Sequence, residues 1–295
     1  MARGEIHLPE EQHKLVSDAW RDEILSILFL ITIIIALGLT MGSSQAMKAL
    51  WLEDLLSIVP STAVLIGIKS RSWQPDETFN YGYRRAVQIG FLAGSVALFG
   101  LGAFIFGDSV YKLMSAEHPS IGTVEIFGSQ IWLGWLMIAA LIYSCIPPAI
   151  LGYLKRDVAT KLHDKSLYIS GTVDKGDWLS GAAGVVGILG IALGYWWTDA
   201  LAGAFISYEI IKDGWEGLKN STLQLMDMRP TDVTEKEPDP VIEKVEHTVN
   251  TLPWVLEASI RLREEGDVIM EGAIDVENES HHSYTTGVTG FAVQS

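Results

Sequence analysis

Cysteine is almost missing from this sequence: Cys145 is the only one in 295 residues. That count excludes a disulfide within the chain and a cysteine-rich metal site. Charge is scarce too. Only 19% of residues are charged, against about 25% in an ordinary soluble domain. The basic residues are the scarcer kind, 21 Lys and Arg against 36 Asp and Glu, for a formal net charge of −15. An acid excess argues against nucleic acid and against docking on anionic lipid. There is no phosphate-binding glycine loop and no nucleophile–base pair, so the sequence gives no sign of an enzyme.

Hydrophobic residues fill the space instead, at 48% of the chain, and they are gathered into long runs. Residues 24–47, 86–107, 126–154 and 178–198 carry no charge. Each is long enough to cross roughly 30 Å of hydrocarbon at about 1.5 Å per residue. Two weaker runs complete the set. Residues 49–68 are apolar except for Glu53 and Asp54, and 200–217 carry Glu209, Lys212, Asp213 and Glu216. The expectation is an α-helical membrane protein with six transmembrane helices. The first run follows a long polar segment and lacks a small-residue cleavage site, so it is read as a span rather than a signal peptide.

Loop charge orients these spans. Lys69, Arg71, Arg84 and Arg85 fall between helices 2 and 3, and Lys155, Arg156, Lys161 and Lys165 between helices 4 and 5. Lys48 and Lys112 are the basic residues expected on the opposite side. Positive charge is retained on the cytoplasmic face, so both termini are expected there, in a cell (inner) membrane. Trp20, Trp73, Trp196 and Trp197 lie near predicted span ends, where indoles favour the interface.

The chain divides into an N-terminal segment (1–21), the membrane domain (22–222), a linker (223–240) and a soluble tail (241–295). Residues 223–295 hold 15 acidic and 5 basic side chains. Val241, Val245, Val249 and Leu252 recur at helical spacing. Trp254 to Leu262 and Val268 to Val276 then alternate as half-buried strands do, with a turn over 264–267. This α-β-β order opens a ferredoxin-like α+β fold. The 19 residues after Val276 are too few and too polar for a second helix and strand, so the domain reads as incomplete at its C-terminus.

Acids inside the spans are the informative positions, because an ionised side chain in hydrocarbon costs several kcal/mol unless it is paired, hydrated or metal-bound. Asp54 stands near the start of predicted helix 2. Asp174 and Asp177 stand at the start of predicted helix 5, three residues apart and on one face. Carboxylates converging from two helices can hold a divalent cation and exchange it for protons. Each is also compatible with a solvated helix end. Glu53 points about 100° away from Asp54 and is the expected bystander. Lys175 could neutralise Asp174, Asp108 and Asp199 read as helix ends, and Pro147 and Pro148 suggest a kink in helix 4. The glycine spacing of helix 5, from Gly181 to Gly194, favours close helix contacts.

Several short motifs recur in a fixed order. Trp51-Leu52-Glu53-Asp54-Leu55-Leu56-Ser57 is followed by Gln74-Pro75-Asp76, Tyr81-Gly82-Tyr83-Arg84 and a helix closing on Asp108 to Leu113. Gly176-Asp177-Trp178-Leu179-Ser180, Trp197-Thr198-Asp199 and Leu225-Met226-Asp227 come later. In these the chain resembles the cation diffusion facilitators. That resemblance implies a divalent metal efflux transporter working by metal/proton antiport, a homodimer, and a metal held between helices 2 and 5 by two Asp or His ligands on each at i, i+4. Asp54 and Asp177 match one ligand per helix, whereas Ile58 and Val173 occupy the other two positions. Asp174, Ser57, Ser180 and water could complete an all-oxygen shell, which favours manganese or ferrous iron over zinc. No prosthetic group is implied. The alternative is a non-transporting or regulatory subunit that pairs with a complete transporter.

Overall fold

The computed structural model describes residues 10–70, 73, 76–79, 83, 85–126, 128–162, 165–234, 237–253, 255, 257–265, 269–277 and 283–292. Six long helices dominate: α1 (Glu10–Thr40), α2 (Gln45–Ser70), α3 (Ala86–Met114), α4 (Leu133–Leu162), α5 (Lys165–Ala192) and α6 (Trp197–Leu225). Four segments, Val16–Thr40, Gln45–Lys69, Ala86–Met114 and Leu133–Leu162, are long and apolar enough to cross a membrane. The chain is thus a mostly helical, multi-pass integral membrane protein.

Its layers are reversed relative to a water-soluble bundle. Leu39, Phe104, Val186 and Leu193 are exposed, while Ser26, Ser57, Ser109, Ser144 and Ser207 are buried. Lipid is as apolar as leucine, so burying leucine gains little there. Small residues, close backbone approach and hydrogen bonds hold the helices together instead. Gly214 shows how close the approach is: a Cβ added there would lie 2.5 Å from the backbone nitrogen of Phe99, pinning α6 against α3. Gly181 does the same for α5 against α4, where the added carbon would meet Cys145 Sγ at 2.2 Å.

Several boundaries differ from the sequence reading. Residues 126–132 were expected to begin helix 4. They instead belong to an antiparallel hairpin, β1 (Thr123–Ile126) with β2 (Ser129–Trp132), turning at Gly128 with φ +79°. β-branched residues and a left-handed glycine favour the hairpin over a helix. Helix α5 begins at Lys165, well before the uncharged run. Lys155, Arg156 and Lys161 lie inside α4 rather than in a loop.

A polar knot ties one end of the bundle together. Asp199, in the first turn of α6, accepts hydrogen bonds from Ser44 Oγ (2.5 Å), Gln45 N (2.6 Å) and Ala46 N (3.3 Å) at the start of α2. The first amides of a helix have no partner of their own, and here a carboxylate from another helix supplies one. Gln45 Nε2 in turn donates to Asp108 Oδ2 of α3 at 2.7 Å. Asp199 and Asp108 therefore join helices rather than merely ending them.

The tail follows α6. Asp239 caps α7 (Pro240–Asn250) by accepting from Val241 N at 2.8 Å, with proline at the first helical position. Strands β3 (Glu257–Glu265), β4 (Ile269–Glu277) and β5 (Ser283–Ala292) form an antiparallel sheet in that order. The third strand departs from the expected α-β-β order. Tyr284, Thr285, Thr286, Val288 and Phe291 suit an edge strand, which needs a ladder partner more than a core. The strands pair as a simple meander. The turn expected over 264–267 falls partly outside the described residues.

The tail is fastened to the helices by charge. Lys165 pairs with Glu264 of β3 and donates to Thr231 Oγ1 at 2.8 Å. Arg85 pairs with Asp227, which Arg263 also approaches at 3.4 Å. Partial burial pushes the Asp227 pKa up, but the hydrogen bond and charge of Arg85, with Arg263, hold it below the ordinary carboxylate value.

Two expectations follow. Asp199→Ala should destabilise the protein by about 2–3 kcal/mol, since the hydrogen bonds lost are to a charged group. Thermal unfolding in detergent reads this. Because the Asp227 pKa is depressed in the folded state, its contribution is present above the ordinary carboxylate value and is lost as pH falls through the folded value. Half-exposed as it is, Asp227→Asn should cost no more than about 1 kcal/mol and should show as faster proteolysis between α6 and α7.

Candidate metal centre

The two helices expected to carry the site both bury their acids well away from the helix ends. Asp54 is the tenth residue of α2 and Asp174 the tenth of α5. At 1.5 Å per residue each lies about 14 Å from its helix start, nearly three turns in. Neither is a helix-end residue, which corrects the expected placement of Asp174. It follows from the upstream extension of α5.

Asp54 is 7% exposed and Asp174 5%, and the charge of Asp174 acts on Asp54. Asp54 has no hydrogen-bond donor among the described residues. Ser57, one turn on, is buried but turns its hydroxyl back to the carbonyl of Glu53 at 3.0 Å. Ser180 is also buried. Ile58 and Val173 are half-buried. The side chain of Asp177, like that of Lys175, lies outside the described residues. Among the described residues no three His, Cys, Asp or Glu side chains are grouped to hold one metal ion.

Asp174 has a partner that the sequence did not disclose. Lys155 of α4, counted from the sequence as a loop cation, is fully buried. Its Nζ lies 2.7 Å from Asp174 Oδ2 and 2.9 Å from Glu23 Oε2 on α1. It also donates to Ser170 Oγ at 3.1 Å. Ser170 donates onward to Glu23 Oε1 at 3.0 Å, and Ser26 to Asp174 Oδ2 at 3.4 Å. Lys155 is therefore a cation that neutralises Asp174, and the side chain expected to do so, that of Lys175, lies outside the described residues. Gly171 makes room for it, since a Cβ there would sit 2.9 Å from that of Lys155. The one signal in the sequence was a lysine following an uncharged run, and hydropathy reads that as the end of a span.

Two buried carboxylates, Asp174 and Glu23, face the one buried ammonium, and a third, Asp54, feels the charge of Asp174 with no cation of its own among the described residues. The formal sum is −2. A low-dielectric interior relieves such an excess either by protonation or by taking up a cation. Oxygen donors alone compose this group, so it suits hard divalent ions.

Comparison with known proteins gives the family of the chain. The pattern of the cation efflux transmembrane domain matches residues 23–226. The chain is 26% identical over 184 residues to the manganese efflux system protein MneS of Bacillus subtilis (strain 168). It is 25% identical over 187 residues to the uncharacterized transporter YdbO of the same organism. Each match covers 62% of this chain and 59% of the relative.

Lys155→Met strands two buried carboxylates and should destabilise by about 3–5 kcal/mol. Adding Glu23→Gln and Asp174→Asn removes those charges and should restore most of the loss. Thermal unfolding of the single and triple variants checks both expectations.

Proposed function

Because this chain belongs to the cation efflux transmembrane domain family, we propose that it exports a divalent metal ion across the membrane in exchange for protons. The observation that supports this reading is the buried Asp54 carboxylate, which lies near Asp174 and has no hydrogen-bond donor or cation of its own among the described residues. In it, all six long helices cross the bilayer, with both termini and the small α+β tail on the cytoplasmic side. Asp54 and Asp177 are the principal ligands. Asp174 stands by as a third, its charge shared with Lys155, and water completes the shell. Manganese is the favoured ion, supported by the oxygen-only donors and by the name of one relative. Protons compete for the same carboxylate oxygens, which provides the exchange. A homodimer is part of the reading by family analogy.

One observation favours a second reading. Asp174 already holds an internal cation, and Ile58 and Val173 stand at positions where a four-ligand site needs donors. A non-transporting subunit paired with a complete transporter would tolerate both features.

Manganese flux into proteoliposomes under a pH gradient separates the two. Transport predicts robust flux in the wild type and a loss of at least about a hundredfold in Asp54→Asn and in Asp177→Asn, as expected when a charged ligand is removed from a dry site. Undiminished flux in both variants overturns the assignment of the ligands. No flux from the wild type, with co-purification of a second transporter, establishes the subunit reading.

A further inference from the structure

Asp54 and its neighbour Glu53 face different parts of the molecule. Successive residues of a helix point about 100° apart, so Asp54 can address α5 while Glu53 addresses α6. Glu53 lines a cavity of about 770 Å³ bounded by α2, α3, α4, α5 and α6 and reaching Val233 and Thr234 beyond α6. Its Oε2 is buried and has no hydrogen-bond partner among the described residues. The described charges acting on it are Asp54, Asp213 and Glu209, all negative.

Across the cavity, α6 presents Glu209, Asp213 and Glu216 on one face, at i, i+4 and i+7. The same face continues as Asn220 and Gln224 toward the tail. Lys212 and Arg156 also line the space. Lys212 is 3.7 Å from Glu209, and Arg156 donates to Tyr168. Four carboxylates therefore meet two cations, and neither cation acts on Glu53, whose Oε2 is buried. A polar stripe of this length on a membrane helix, leading from the tail side to a carboxylate oxygen that is buried and without a donor among the described residues, is the form of a path for hydrated cations.

We propose that this cavity is a second divalent-cation site, in which Glu53, Glu209, Asp213 and Glu216 collect the ion in hydrated form before it passes to Asp54. The inference rests on the efflux reading for its direction, but the site itself does not require transport. The carboxylates do not converge as a trio on one ion. They bind through the water that manganese and magnesium retain. Binding here is weaker and less selective than at Asp54, and it raises the local ion concentration beside that residue.

The test uses the full-length chain in phosphatidylcholine nanodiscs, with bound manganese counted by electron paramagnetic resonance across a titration. The wild type should show a weak class of bound ion in addition to the Asp54 class. Glu209→Gln/Asp213→Asn should weaken the weak class by about tenfold or more, as expected when two of its four charges are lost. Asp54→Asn should retain it. In proteoliposomes the double variant should raise KM for manganese about fivefold or more while kcat falls less, since loading rather than passage is impaired. A double variant that elutes and melts like the wild type and keeps the weak class intact overturns the proposal. Loss of the weak class in Asp54→Asn alone also overturns it, because the two sites are then one. Flux that survives Asp54→Asn would count against the efflux ligands and leave the binding result for the cavity standing.

Discussion

An ammonium group with no access to water, shared by carboxylates from two helices, fixes how α1, α4 and α5 stand together. Taking such charges out of water costs several kcal/mol per ion, and only close geometry with further hydrogen bonds offsets that cost. Ser170 and Ser26 supply those bonds. Because the arrangement tolerates little displacement, it sets the depth and direction of Asp174. That position in turn decides what charge Asp54 meets across the helix gap. The candidate centre is thus organised by a lysine that need not itself touch a bound ion.

The rest of the bundle follows the same economy of polar groups. Serines and glycines occupy the interior, and large apolar side chains face outward. Polar partners are spent where helix ends or buried acids would otherwise go unsatisfied: Asp199 at the start of α2, Gln45 on Asp108, Arg85 on Asp227. Among the described residues Asp54 and Glu53 Oε2 receive no such partner, and these are the two places at which cation binding is proposed.

Much of this was legible in the sequence, for identifiable reasons. The uncharged runs marked the helices, and the weak segments 49–68 and 200–217 prove to lie within α2 and α6. The valine stripe located α7, and alternation located β3 and β4. Two of the errors share one cause. Hydropathy treats every charge as solvated, so a lysine that is paired inside the protein looks like a loop. Lys155 was misplaced on that account, and the start of α5 was set too late. The β1–β2 hairpin was lost because its apolar residues resemble a span by composition. β5 was missed because an edge strand is defined by ladder bonds to β4, which leave little trace in polarity. The acids themselves were found, since a carboxylate within a long apolar segment is conspicuous. Their partners were not, because those come from α1 and α4, far away in sequence.

The two polar clusters also divide the molecule mechanically. Glu23, Lys155 and Asp174 lace α1, α4 and α5 into one set, while Asp199, Gln45 and Asp108 lace α2, α3 and α6 into another. Asp54 belongs to the second set and Asp174 to the first. The seam between the sets therefore runs between the two acids. In the proposed site a cation held by both would act as a removable rivet across that seam, and its departure would leave two carboxylates facing each other there. Under that reading, any opening of one set against the other would be tied to whether the ion is aboard.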